Sequence, residues 1–78
     1  MNYDEILEKV ITTFSVIADT EEEITEDSEL VDDLNISSMD ILMILCNLEE
    51  EFHIKVPEKM IRRMTTIGDV AEVLESLM

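Results

Sequence analysis

The apolar residues of this 78-residue chain recur at helical spacing in separate stretches. The first stretch runs from Tyr3 to Ile17, and Asn2 or Asp4 can cap its start. Its apolar positions form one broad stripe, which predicts an amphipathic helix. The positions are Ile6, Leu7, Val10, Ile11, Phe14 and Ile17.

The second periodic stretch runs from Ser38 to about Phe52 and carries two apolar stripes. One stripe is assigned to the core and consists of Ile41, Ile44, Leu45, Leu48 and Phe52. Met39, Met43 and Cys46 form the other stripe, on the opposite side of the helix. Because methionine adapts to surfaces of different shape, we interpret Met39 as partner-binding surface. Met43 is either core or partner surface.

Two further helices are predicted in the last third of the chain. Pro57 can open a short helix over Glu58–Met64. Thr66 is an N-cap, with Asp69 completing a capping box. The final helix that follows has its apolar positions at helical spacing, at Val70, Val73, Leu74 and Leu77.

A long connection, residues 19–36, lacks sustained periodicity and separates the first two helices. A loop of this length is uncommon unless it is packed or functional. We expect its apolar residues to lie on the core, namely Ile24, Leu30, Val31, Leu34 and Ile36. The pattern therefore predicts an all-α fold, a small four-helix bundle of three longer helices and one short helix with a long first loop. It also predicts a single domain over residues 1–78.

The charge of the chain narrows the choice of partner. Twenty acidic and five basic residues give a net charge of −15, and Lys9 is the only base before residue 55. This charge disfavours nucleic acid and anionic membrane surfaces, and it favours proteins that carry basic patches. One cysteine excludes an internal disulfide, and no apolar run reaches membrane-spanning length. We expect a soluble, cytoplasmic monomer.

The start of the second helix is the strongest candidate site. Ser37 is a good N-cap, and Asp40 three residues later completes a capping box. Ser38 then occupies the first helical position, where backbone N–H groups lack intrahelical partners and the helix dipole is positive. That position suits a serine that carries a phosphate or a phosphodiester.

The sequence has no other pattern that is typical of a catalytic, phosphate-binding or metal site. There is one histidine, His53, without a neighbouring cysteine nucleophile, and one glycine, so no phosphate-binding loop can form. Neither zinc-ligand spacing nor a calcium loop occurs, and the acidic runs are interpreted as solvated loop. We therefore predict no catalytic residues and no metal site.

The order of these features resembles that of the acyl carrier proteins over essentially the whole chain. Ser38 falls on the modified serine of the family pattern D-L-G-x-D-S-L-D. The other matching segments are Asp33-Leu34, Asp40, Leu48-Glu49-Glu50-Glu51-Phe52, Ile54, Val56-Pro57 and Thr65-Thr66-Ile67-Gly68-Asp69-Val70.

The resemblance implies a carrier rather than an enzyme. A phosphopantetheinyl transferase would attach phosphopantetheine from coenzyme A to Ser38. The arm would hold acyl groups as thioesters for acyl-transferring and condensing enzymes or for a dedicated acyl ligase. In this family, acids along helix two meet basic patches on those enzymes. The residues here that match these acids are Asp33, Asp40, Glu49 and Glu50.

Departures from the family pattern leave two questions open. Ser37 and Asn35 stand where the family has Asp and Gly, Met43 replaces an acid, and the short helix carries Lys59, Arg62 and Arg63. With these changes, the sequence is as consistent with a specialised carrier as with a general fatty-acid carrier. An alternative function is an unmodified interaction module that acts through its acidic, Met-rich helix-two surface.

Overall fold

Four helices make up the secondary structure of residues 2–18 and 20–78, the parts of the chain described by the computed structural model. They are α1 (Tyr3–Ser15), α2 (Ser38–Phe52), α3 (Glu58–Ile61) and α4 (Ile67–Leu77). The prediction of an all-α bundle with one short helix and a long first loop is confirmed. None of these helices combines the length and the apolar character needed to cross a bilayer.

The helix caps fix where the long helices begin. Asn2, rather than Asp4, caps α1, and its side chain and that of Glu5 form a reciprocal capping box. Thr66 and Asp69 form the same box at α4. At α2, Ser37 Oγ accepts from the backbone N–H of Asp40 at 3.2 Å. No return bond from the Ser37 N–H to the Asp40 carboxylate is found in the described chain, so only half of the predicted capping box forms. Caps of this kind satisfy N–H groups that a helix cannot satisfy internally.

Two helices end earlier than predicted. Residues 16 and 17 form a turn after α1, in which the N–H of Ile17 bonds the carbonyl of Phe14. After α3, the N–H groups of Arg63 and Met64 bond carbonyls only three residues back. These tighter bonds convert the last predicted turns into non-α structure.

One hydrophobic core is built from α1, the long loop, α2, the segment before α3 and α4, and α1 packs directly against α4. The buried residues are Ile6, Val10, Phe14, Leu30, Leu34, Ile36, Ile44, Leu45, Leu48, Val56, Ile67, Val70, Ala71 and Leu74. The predicted core stripe of α2 is confirmed, since Ile41 and Phe52 are partly buried beside its three buried members. Short aliphatic side chains thus fill a bundle that has few aromatic residues.

The long loop is held on the core and on α4. Leu30, Leu34 and Ile36 are at most 2% exposed, whereas Val31 is 56% exposed. The expectation that Val31 packs on the core was wrong. The N–H of Leu34 bonds the carbonyl of Glu29, so residues 30 and 34 share the inner side of a helix-like turn. Val31 falls on the outer side. The predicted start of the loop at residue 19 lies outside the described residues.

Gly68 allows the loop backbone to approach α4 closely. Its N–H donates to the carbonyl of Glu26 at 2.8 Å. A Cβ at residue 68 would lie 3.0 Å from that same oxygen. The glycine costs helix propensity, and this close contact explains its place in the first turn of α4.

The same junction perturbs the only tyrosine of the chain. Partial burial, a hydrogen bond from the phenol to Glu26 and the nearby charges of Glu26, Glu72 and Glu75 raise the pKa of Tyr3 to about 12. All three effects favour the neutral phenol over the phenolate. The ordinary pKa of the phenol is 10.0, which is the value expected in the unfolded chain.

We expect this difference to make the folded state lose stability as the pH rises from 10 toward 12. In that interval the folded state holds a proton that the unfolded state releases, so the free energy of unfolding decreases with pH. Near-ultraviolet absorbance of the phenolate follows Tyr3 alone. Glu26→Gln should lower the pKa, because it removes a charge while keeping an acceptor. A titration midpoint near 10 in the folded protein would contradict the prediction.

Candidate functional site

The proposed attachment serine lies at the exposed start of α2. Ser38 is the first residue of the helix, and its side chain is exposed. The N–H of Asp40 donates to Ser37 Oγ, and the N–H of Ile41 donates to the carbonyl of Ser37. Among the described residues, no acceptor is found for the N–H groups of Ser38 and Met39. These donors and the positive end of the helix dipole would favour an anion at this helix start.

The loop that leads to Ser38 turns sharply at Asn35. Its φ of 53° lies in the left-handed region, which asparagine tolerates better than most residues other than glycine. The family pattern has glycine at this position. Asn35 therefore preserves the backbone path that delivers Ser37 and Ser38 to the helix start.

A cavity of about 340 Å³ opens beside Ser38, between the loop, α2 and the α3 region. Its wall is mostly apolar, and Glu58 and Arg62, which form an ion pair at 3.2 Å, supply the charged side chains. The lining residues are Val31, Ser38, Ile41, Leu42, Glu58, Ile61, Arg62 and Met64. A larger hollow, near Lys9 and Glu51, is lined largely by charged and hydroxyl side chains and does not include Ser38.

Exposed apolar side chains lie along α2 after Ser38 and in the cavity beside it. Met39 is 75% exposed and Met43 is 64% exposed, so Met43 is surface rather than core. Cys46, the third member of the stripe, is also exposed. Sequence reasoning missed Val31 and Leu42, which line the cavity and are themselves half-exposed. Leu42 follows Ser38 by four residues, and this spacing could have placed it on the same helix face.

Asp33 and Glu49 use their carboxylates within the fold. Asp33 Oδ2 accepts from the N–H of Glu29 at 2.8 Å. Glu49 Oε2 accepts from the N–H of Val56 at 2.7 Å and joins α2 to the segment before α3. A hydrogen bond with Asp32, then the charges of Asp32 and Asp33, raise the pKa of Glu29 in the same acidic loop.

Asp40 and Glu50 are exposed, and no side-chain hydrogen bond or ion pair of either is found in the described chain. Their carboxylates are therefore available to a partner. Four acids of this chain match the partner-binding acids of the family pattern. Two of them, Asp33 and Glu49, have internal roles, and the other two, Asp40 and Glu50, face outward. No cluster of three potential metal ligands occurs within residues 2–18 and 20–78.

The internal bond of Glu49 predicts different stabilities for two neighbouring variants. Glu49→Ala leaves the partly buried N–H of Val56 without its acceptor, which should lower the free energy of unfolding by about 1–3 kcal/mol. Glu50→Ala removes an exposed carboxylate and should change stability by less than about 0.5 kcal/mol. Urea denaturation of the two variants measures this difference, and equal midpoints would contradict it.

Known proteins are similar to this chain over nearly its whole length. A family model described as "Phosphopantetheine attachment site" matches residues 6–74. An acyl carrier protein of Borreliella burgdorferi is 43% identical over 76 residues, which cover 96% of this chain and 95% of that protein. One from Wolinella succinogenes is 34% identical over 74 residues, covering 95% and 93% of the two chains.

Comparison of the fold with solved structures also finds acyl carrier proteins. The structure of the acyl carrier protein from Enterococcus faecalis superimposes with a TM-score of 0.83 and 26% sequence identity, covering 100% of both chains. The predicted resemblance is confirmed over nearly the full length of the chain. This protein belongs to the acyl carrier proteins, which carry covalently attached phosphopantetheine and are carriers rather than enzymes.

Proposed function

We propose that Ser38 is the residue that receives phosphopantetheine from coenzyme A, in a transfer made by a phosphopantetheinyl transferase. The Ser38 oxygen forms the new bond to phosphorus, the bond between that phosphorus and the adenosine bisphosphate leaving group breaks, and the hydroxyl proton passes to a base of the transferase. The observation that carries the proposal is the exposed Ser38 hydroxyl at the start of α2, beside N–H donors that have no acceptor among the described residues.

The residues around Ser38 fit the attached group in two respects. The N–H groups of Ser38 and Met39 can donate to the phosphodiester oxygens, and the helix dipole favours the negative charge. When bound, the group supplies a terminal thiol that holds acyl chains as thioesters. Ser37 keeps the helix start in place through its bond to Asp40.

The partner surface of the carrier is proposed to surround the arm. Asp40 and Glu50 would meet basic side chains of partner enzymes, and Met39 and Met43 would supply apolar contact between them. Asp33 and Glu49 contribute charge, while their hydrogen bonds hold the backbone. The partners would be acyl-transferring and condensing enzymes or a dedicated acyl ligase, in fatty-acid or specialised biosynthesis.

The test is the intact mass of the full chain after incubation with coenzyme A and a phosphopantetheinyl transferase. We expect a gain of one phosphopantetheine group, which fragmentation assigns to Ser38. Protein purified from its native host would report both the arm and its acyl cargo. An unchanged mass with several transferases would favour the alternative of an unmodified interaction module.

A further inference from the structure

Four of the five basic residues of the chain lie close together in sequence, at Lys55, Lys59, Arg62 and Arg63. We call these four residues the basic segment. All four are exposed. They are the main departure from the acidic character of the rest of the surface.

The fold leaves most of this positive charge unpaired. Arg62 pairs with Glu58, four residues earlier, and both side chains are largely exposed. Within the described residues, Lys55, Lys59 and Arg63 form no ion pair, although the chain has 20 acidic residues. Exposed ion pairs stabilise a fold little, and most of these basic residues do not form one. The charge of Lys55, Lys59 and Arg63 is thus available to another molecule.

The basic segment borders the surface that partners must approach. Arg62 lines the same cavity as Ser38. Lys55 lines a shallow hollow together with Glu49 and Glu50. A protein that reaches the Ser38 hydroxyl therefore also meets Arg62, and one that covers Glu50 also meets Lys55.

The docking surface therefore carries negative charge in one part and positive charge in another. A partner whose patch is basic throughout would be attracted by Asp40 and Glu50 and repelled by the basic segment. Opposed like charges at an interface lower affinity and association rate, and they serve to reject wrong partners. A partner with an acidic patch beside its basic one avoids this penalty.

We propose that the basic segment is a second docking surface, which binds an acidic patch on the partner enzyme and rejects enzymes whose docking surface is wholly basic. The inference rests on the proposed function, because the partner comes to Ser38 to act on the arm. An anionic lipid surface is the competing ligand for four exposed bases. The net charge of −15 opposes it, since a membrane repels the rest of the chain.

The first test is a charge reversal, with a phosphopantetheinyl transferase that has a basic docking surface as the probe. At low salt, Arg62→Glu should raise kcat/KM for arm transfer roughly threefold or more, and high salt should remove the gain. Lys9→Glu is the matched control, because Lys9, like Arg62, is ion-paired with a glutamate, and the hollow that it lines does not include Ser38. Lys59→Glu serves as a second variant, and thermal unfolding checks that each variant folds. Equal rates for Arg62→Glu, Lys59→Glu and the wild type would overturn the proposal.

The second test introduces acidic residues into the docking surface of the transferase. Each docking-surface Lys or Arg of the transferase is replaced in turn by Glu, and each enzyme is tested on the wild-type chain and on Arg62→Glu. We expect at least one transferase variant that modifies the wild type faster and Arg62→Glu more slowly. Absence of any such opposite change would overturn the acidic-patch assignment.

Two further outcomes decide against the inference in different ways. Binding to vesicles of anionic phospholipid that is lost in Arg62→Glu would assign the basic segment to a membrane instead. A wild-type chain that gains no mass with any transferase would overturn the proposed function, and this inference with it. Normal modification with no effect of the basic segment would overturn this inference alone.

Discussion

Replacing Ser38 by alanine is expected to abolish the mass gain on incubation with coenzyme A and a transferase, while the fold stays intact. The side chain is exposed at the first position of α2, and Ser37 supplies the capping oxygen. Removing one exposed hydroxyl should change the free energy of unfolding by less than about 0.5 kcal/mol. Intact mass and thermal unfolding of the same sample measure both effects.

Ser37→Ala is the matched control, because it removes the neighbouring hydroxyl. It should keep modification at Ser38 and lose the bond to the N–H of Asp40, at a typical cost of about 1 kcal/mol. For a domain of this size, that cost corresponds to a decrease of roughly 4–8 °C in Tm. If Ser38→Ala were modified and Ser37→Ala were not, the assignment of the arm to Ser38 would be wrong.

The regular parts of the fold could be predicted from the sequence because their signals repeat. The apolar spacing in α1, α2 and α4 extends over several turns, and the caps at Ser37 and Thr66 combine favoured residue types with an acid three residues later. Each of these signals depends only on residues near one another in the chain. The helix ends after Ser15 and Ile61 could not be predicted, because a change from α to tighter bonds has no clear sequence signal.

The site could be predicted only in part. The place of Ser38 at a helix start follows from local capping, but the cavity beside it joins residues from the loop, α2 and the α3 region. The roles of Glu49 and Arg62 also depend on residues brought together by the fold. Val31 was misplaced because residues 30–34 form a single turn, which is too short to show a periodic pattern.

That turn leads to the second large expected effect, a loss of stability in Leu34→Ala. Leu34 is 1% exposed and lies in the core, four residues before Ser38. Truncating a buried leucine to alanine costs about 2–5 kcal/mol, because apolar contact is lost and a cavity remains. Small domains have only about 5–15 kcal/mol of stability in total, so Tm should decrease by roughly 10 °C or more.

Val31→Ala is the control for this prediction, since it truncates a branched apolar residue of the same turn that is 56% exposed. Its stability should stay within about 0.5 kcal/mol of the wild type. Leu34 also holds the loop that positions Ser38, so Leu34→Ala should slow arm transfer even at temperatures where the protein is folded. Urea denaturation and the initial rate of mass gain measure the two effects. Equal destabilisation by the two variants would show that the turn does not anchor the loop through Leu34, and the proposed support of Ser38 by the core would fail.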